Sequence, residues 1–267
     1  MNCRPITSTR HGFTRTDLLS TVCTTGLLGL LLVGSGSTTR TATEAAHCHN
    51  NTQRLIGAWL SHATENSRLL LNENSGSSQE ETWAWGSLDP LTSKSNTNVA
   101  TVQTKAFTPY IGTNTSVFRC PSDRLLYAAQ IALGWQSRVR SYSMNDHVGT
   151  SIASWGGNFP TYRKLSDFSR PSETFVFAEE HPDSINDTQL ATYPQGVLNP
   201  ASARLIDFPA SFHNRGAHFS FADGHIELHR WTGPRVVQPV RGIMALNIAA
   251  PNDPDALWLG QRAAQMR

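Results

Sequence analysis

The chain has 267 residues, 39% of them hydrophobic and 9% aromatic, with seven Trp; that is enough apolar material for a packed interior and too much for global disorder. A formal net charge of +2, with no dense Lys/Arg stripe interleaved with aromatics, excludes the electrostatic footprint of a nucleic-acid binder. Domains usually run to about 100–200 residues, so one sizeable core with an appendage fits this length.

At the N-terminus, Arg4, Arg10, His11 and Arg15 precede an uncharged run from Leu18 to Val33, LLSTVCTTGLLGLLLV, and Asp17 is the only acid before it. Basic residues, then an apolar stretch, then the small-residue tract GSGSTTRTAT make an export signal by pattern. A perpendicular membrane span needs about 20 apolar residues, with about 17 near the lower limit. The run has 16 and predicts a marginal single-pass anchor in the cytoplasmic membrane. The positive-inside rule then places the N-terminus inside and everything after Gly34 outside. The predicted organisation is a basic leader over 1–12, a transmembrane or signal segment over 13–34, a linker and stem helix over 35–72, and a globular domain over 73–267.

From Thr43 the apolar residues Leu55, Ile56, Trp59, Leu60 and Ala63 recur at intervals of three and four, predicting an amphipathic helix packed on a sheet. Between about Glu73 and Thr104 the composition turns to Ser, Asn, Thr and Gly, which predicts surface loops. VFRCPSD (117–123) runs a short strand-like segment into a Cys-Pro break. RSYSMN (140–145) and RPSETFVFAEE (170–180) each supply a strand, the second with Phe175 and Phe177 on one face. HNRGAHFSFADGHIELHRW reads as a hairpin over 213–231: Phe219 and Phe221 alternate, Asp223-Gly224 is a tight turn, and Ile226 and Leu228 alternate on the return.

The four cysteines include no C-x-x-C pair, which removes zinc-ribbon and redox-motif readings. In an exported body Cys48 and Cys120 either form a disulfide or remain two separate small hydrophobic residues. His213, His218, His225 and His229 accompany Asp223, and alternation puts His225, Glu227 and His229 on one face, a set of side chains able to chelate a divalent ion. The hairpin's other face carries the apolar Ile226 and Leu228, so these imidazoles are read as solvated and no metal or cofactor is assigned. His213 is expected to hydrogen-bond Asp223 in a structural clasp. No G-x-S-x-G elbow, phosphate-cradling Gly loop or H-E-x-x-H helix occurs. Glu179, Glu180, His181 and Asp183 have the carboxylates that glycoside-type acid/base chemistry needs, but charges after an apolar strand read as a solvated loop. No catalytic residue is assigned.

Several segments resemble prepilin-type proteins, the pseudopilins of type II secretion among them. Gly12-Phe13-Thr14-Arg15-Thr16-Asp17 resembles the prepilin cleavage and methylation motif, with Gly12 before the cut, Phe13 after it and an acid, here Asp17 in place of the usual Glu, five residues into the mature chain. Arg15 and Thr16 depart from that motif, where apolar residues are usual. The stretch around Cys48, Asn51, Gln53, Gly57 and Asn66, the Cys-Pro-Ser-Asp segment, and His213, Asp223 and Gly224 in H-x9-D-G spacing resemble later parts of large members of that group, in the same order. The resemblance implies an α+β fold, pilin-like with large loop insertions, in which a long N-terminal helix, membrane anchor continuing into an extramembrane stem, packs on an antiparallel sheet. It further implies a non-enzymatic subunit of a type II secretion or type IV pilus-like assembly, with a prepilin peptidase, other pilin-like subunits and the cytoplasmic membrane as partners. The alternative is a secreted or anchored binding or carbohydrate-active module, released by ordinary signal-peptide cleavage near residue 36.

Overall fold

The computed structural model describes residues 14–72, 81–88, 93–150, 153, 155, 157–243 and 246–266, with the backbone alone over 24–42. The chain divides into two compact units, Met1–Thr43 and Glu44–Arg267. Helix α1 runs over Arg15–Asn66 and contributes its last 23 residues, 44–66, to the second unit. The short helices are α2 (Thr108–Ile111), α3 (Ala128–Ala132) and α4 (Gln195–Leu198), and α5 (Pro254–Ala263) closes the chain.

The strands among the described residues are, in chain order, β1 (Tyr142–Asn145), β2 (Phe175–Glu179), β3 (Gln189–Leu190), β4 (Arg204–Leu205), β5 (Gly216–Phe221), β6 (Ile226–Arg230) and β7 (Ile248–Ala249). The main sheet has the order β3-β1-β2-β5-β6, and β4 pairs with β7 in a two-stranded ribbon. The architecture is α+β, but the expected membrane-anchored helix on an antiparallel sheet is overturned on two counts. The sheet is mixed, because β3 runs parallel to β1 while the other pairings are antiparallel. Among the described residues no helix is long and apolar enough to cross a membrane, which overturns the single-pass localisation and the transmembrane pseudopilin description with it. The physical reason lies in the run itself: Thr21, Thr24, Thr25, Gly26 and Gly29 dilute 16 residues that already fall short of the roughly 20 a hydrocarbon core requires.

Two hydrophobic clusters cover the main sheet. In the first, Leu55, Ile56, Trp59 and Ala63 of α1 pack with Trp83, Phe107, Phe118, Tyr142, Met144 and Phe177. In the second, Phe175, Phe219, Phe221 and Trp231 pack with Ala256, Leu259 and Ala263 of α5. Asp253 caps α5, its carboxylate accepting the backbone N–H groups of Asp255 and Ala256 that the first turn leaves unpaired. Burying each large apolar side chain contributes about 1.5–3 kcal/mol.

Three local expectations are corrected by this packing. Phe175 and Phe177 do not share a face, because the β2–β5 register shifts between them; an extra residue in a strand turns the chain. Phe175 meets Phe219 edge-on at 5.4 Å, whereas Phe177 meets Trp83 at 5.1 Å in the other cluster. The segment read as surface loops supplies the fully buried Trp83, Ala84, Leu88 and Val102. VFRCPSD begins as a 3-10 turn over Thr115–Phe118 rather than as a strand.

Candidate functional site

Strand β2 is central in its sheet and buried along its whole length, and its last residue, Glu179, is 0% exposed. A charge in that position costs several kcal/mol unless it is paired and hydrogen-bonded. The fold supplies the partners. His213 Nε2 lies 3.0 Å from Glu179 Oε1. The His218 backbone N–H donates to Oε2 at 2.8 Å, and His218 Nδ1 lies 3.5 Å from the same oxygen. Burial alone pushes the Glu179 carboxyl up, but the hydrogen bonds from His213 and His218 outweigh it and hold the group at about 2. Both imidazoles are buried beside each other, with ring centroids 4.6 Å apart.

His213 is aimed inward by the turn that follows it. Asn214 and Arg215 both adopt positive φ, 50° and 64°, a conformation that costs a bulky residue about 1–2 kcal/mol. The His213 N–H then donates to Gly216 O at 3.0 Å. A Cβ on Gly216 would stand 2.5 Å from His229 O, so the close passage of β6 over this turn admits only glycine.

The same cluster holds a disulfide. Cys48 on α1 and Cys120 are bonded with their Cα atoms 5.1 Å apart, inside the range that geometry allows. Cys120 Sγ lies 3.5 Å from His213 Nε2, and Tyr142 Oη donates to Cys48 O at 3.2 Å. The Cys-Pro-Ser-Asp segment is locked from within: the Cys120 N–H donates to Ser141 Oγ, Ser141 Oγ donates to Asp123 Oδ2 at 2.7 Å, and Asp123 Oδ1 pairs with the buried Arg138. The motif thus fastens the disulfide loop to the start of β1.

The remaining predicted site residues lie elsewhere. Gly224 sits at φ 95° in the β5–β6 turn, where its N–H donates to Phe221 O at 2.9 Å. Asp223 does not clasp His213; its Oδ1 holds His225 Nδ1 at 2.6 Å, and the His225 ring stacks on Phe221. The reason is strand length. His213 precedes and Asp223 follows β5, whose six residues span roughly 20 Å at the usual rise per residue. The hairpin faces are not divided as expected, although His225 stays exposed. His229 stacks at 3.6 Å on Trp258, while Leu228 is 36% exposed. Asp17 accepts hydrogen bonds from the Thr14 N–H and hydroxyl at the first turn of α1, and these hold its pKa below the ordinary value. Gly12 and Phe13 lie outside the described residues.

The acidic group after β2 is buried, not solvated. Ser184 Oγ donates to Glu180, His181 lies against Gln238 O, and Asp183 accepts from Tyr127 and from the backbone of Arg241 and Gly242. Glu179 and His218, read in the sequence as members of solvated groups, are thus buried site residues. A signal for Glu179 existed: Phe-Val-Phe-Ala is a continuous apolar run, the mark of a strand covered on both faces, and an acid ending such a strand is buried with it.

Chemically, the cluster combines an ionised carboxylate, two imidazoles and a disulfide, with Glu179, His213 and His218 at 0%, 6% and 3% exposure. That leaves no open face for a substrate. An open cleft of about 430 Å³ is lined by Thr97, Asn114, Thr115, Ser116, Arg119 and Ser137 among others, with no carboxylate among the described residues of its wall. No protein family, curated protein or solved structure matches this chain.

Proposed function

We propose that the chain is a non-enzymatic subunit of the prepilin-like kind, working with other pilin-like subunits in a type II secretion or type IV pilus-like assembly, and that its H-x9-D-G element serves to close the core of the body. One observation carries the non-enzymatic part: His213 and Glu179, an acid–base pair that the packing of β2 against β5 brings together, are spent inside the fold and sealed from solvent. A pair without access to a reactant contributes stability instead of general acid–base catalysis. The cluster joins four separate parts of the chain, α1, the Cys120 loop, β2 and the turn before β5, as a structural knot does. The assembly part rests on the order of the prepilin-like segments along the chain.

The native N-terminus tests this. Processing by a prepilin peptidase predicts a mature chain beginning at Phe13 with a methylated amine, read by intact-protein and peptide mass spectrometry. A start near residue 36 would overturn the reading in favour of a released binding module. The cleft at Arg119 favours binding over hydrolysis in that second case, because glycoside-type chemistry needs two carboxylates and the described residues of its wall carry none.

A further inference from the structure

The sulfur atoms of Cys48 and Cys120 lie beside His213. Cys48, Cys120, Glu179 and His213 each offer one ligand atom, and these four atoms all lie within 4.8 Å of one another, every residue buried. We propose that, once the Cys48–Cys120 bond is reduced, Cys48 Sγ, Cys120 Sγ, His213 Nε2 and Glu179 Oε1 form a closed four-coordinate site for a zinc-like divalent ion.

The donor set fits the ion. Two thiolates, an imidazole and a carboxylate suit a borderline-soft metal of tetrahedral preference. With metal–sulfur bonds of about 2.3 Å and metal–nitrogen or metal–oxygen bonds of about 2.0–2.2 Å, tetrahedral ligands stand roughly 3.3–3.8 Å apart. The His213 Nε2–Cys120 Sγ separation of 3.5 Å is already there, and Nε2–Glu179 Oε1 at 3.0 Å is a few tenths short. The bonded sulfur atoms must part, and breaking the disulfide frees them to do so. The surroundings orient the ligands as such sites require: Glu179 Oε2 is pinned by the His218 N–H, and the Cys120 backbone by Ser141 Oγ.

Charge gives the site its purpose. Reduction by a dithiol transfers two electrons and two protons to the disulfide, leaving two thiols and an oxidised dithiol. Binding of a divalent ion then displaces both thiol protons to solvent. Without the ion, burial beside the charged Glu179 keeps both thiols protonated; the ion offsets the charge of the two thiolates that form on binding it. With four protein ligands and no open position, the site is structural rather than catalytic. The fold therefore has two ways to tie α1 to the Cys120 loop: a covalent bond under oxidising conditions, and a metal bridge under reducing ones.

The test is a cobalt titration of the untagged full chain, reduced and held anaerobically in a phosphine reductant, followed by visible absorption and far-ultraviolet circular dichroism. The expected result is one equivalent of Co²⁺ bound, with the intense d–d bands of a tetrahedral ion and sulfur-to-cobalt charge transfer, displaced by Zn²⁺. The disulfide-bonded chain should show neither band. His213→Ala and, separately, Glu179→Gln should weaken binding at least tenfold. If reduction loosens the fold, recovery of the dichroism on adding Zn²⁺ supports the site. A reduced chain without tetrahedral Co²⁺ bands, or one whose bands and affinity survive both substitutions, overturns it, as does a loosened chain that the metal does not restore.

Discussion

Replacing His213 by Ala asks whether Glu179 is a buried charge sustained by its partners. An ordinary solvated hydrogen bond would cost about 1 kcal/mol to lose. Here the loss strands a carboxylate that is 0% exposed, and removing one partner of a buried pair costs about 3–5 kcal/mol. The His218 N–H remains at 2.8 Å and retains part of the stabilisation, which sets the expectation at about 3 kcal/mol, a large share of the 5–15 kcal/mol typical of a domain. Guanidinium unfolding at pH 7 with the disulfide intact measures it. Glu179→Gln in the same background removes the charge, so the double variant should lose at least about 1 kcal/mol less than the sum of the single losses. The acid limb adds a second reading. The folded pKa of Glu179, about 2, lies below the unfolded value of about 4.3. Its contribution is therefore present above about pH 4.3 and is lost as pH falls through about 2. His213→Ala should flatten that limb. A loss near 1 kcal/mol, additive with Glu179→Gln and with an unchanged acid limb, would refute the reasoning.

The Cys48–Cys120 bond closes a separation of 72 residues, worth about 4 kcal/mol on the chain-entropy model; the Cys48→Ala/Cys120→Ala chain should lose that much in denaturant unfolding, and a loss under about 1 kcal/mol would contradict it. Burial pushes Asp146 up to about 6, with His147 and Thr192 opposing, so its folded pKa exceeds the unfolded one. Its contribution is full below about pH 3.9 and is lost as pH rises through about 6, by roughly 3 kcal/mol at 1.36 kcal/mol per unit; Asp146→Asn should flatten the stability profile between pH 4 and 7, and an unchanged slope sinks the idea. Gly224 sits at φ 95°, and a Cβ there would stand 3.0 Å from Leu60 Cδ1. Gly224→Val should lower the melting temperature by an amount equivalent to about 2 kcal/mol, and more than Gly224→Ala does; equal, negligible shifts would count against it.

Local chemistry was legible in the residues themselves. Asp223-Gly224 marks a chain reversal because glycine alone accepts positive φ freely, and the period-2 alternation of Phe219 and Phe221 and the apolar run Phe-Val-Phe-Ala mark strands. The spacing of Leu55, Ile56, Trp59 and Ala63 marks a helix with one buried face. These features depend on interactions within a few residues, where sequence and geometry are tied closely. Partner choice was not legible in that way. His213 was expected beside Asp223, its companion in the motif, yet it reaches Glu179, which is 34 positions away along the chain. A single register shift in β2 sent Phe175 and Phe177 to different clusters. The charges after β2 looked solvated because local sequence records neither the strand packed beside them nor the layer above. Which acid meets which imidazole, and which sulfur lies against both, follows from strand order and layer packing. Those are set by the summed burial of residues far apart in the chain, so only the tertiary structure decided them.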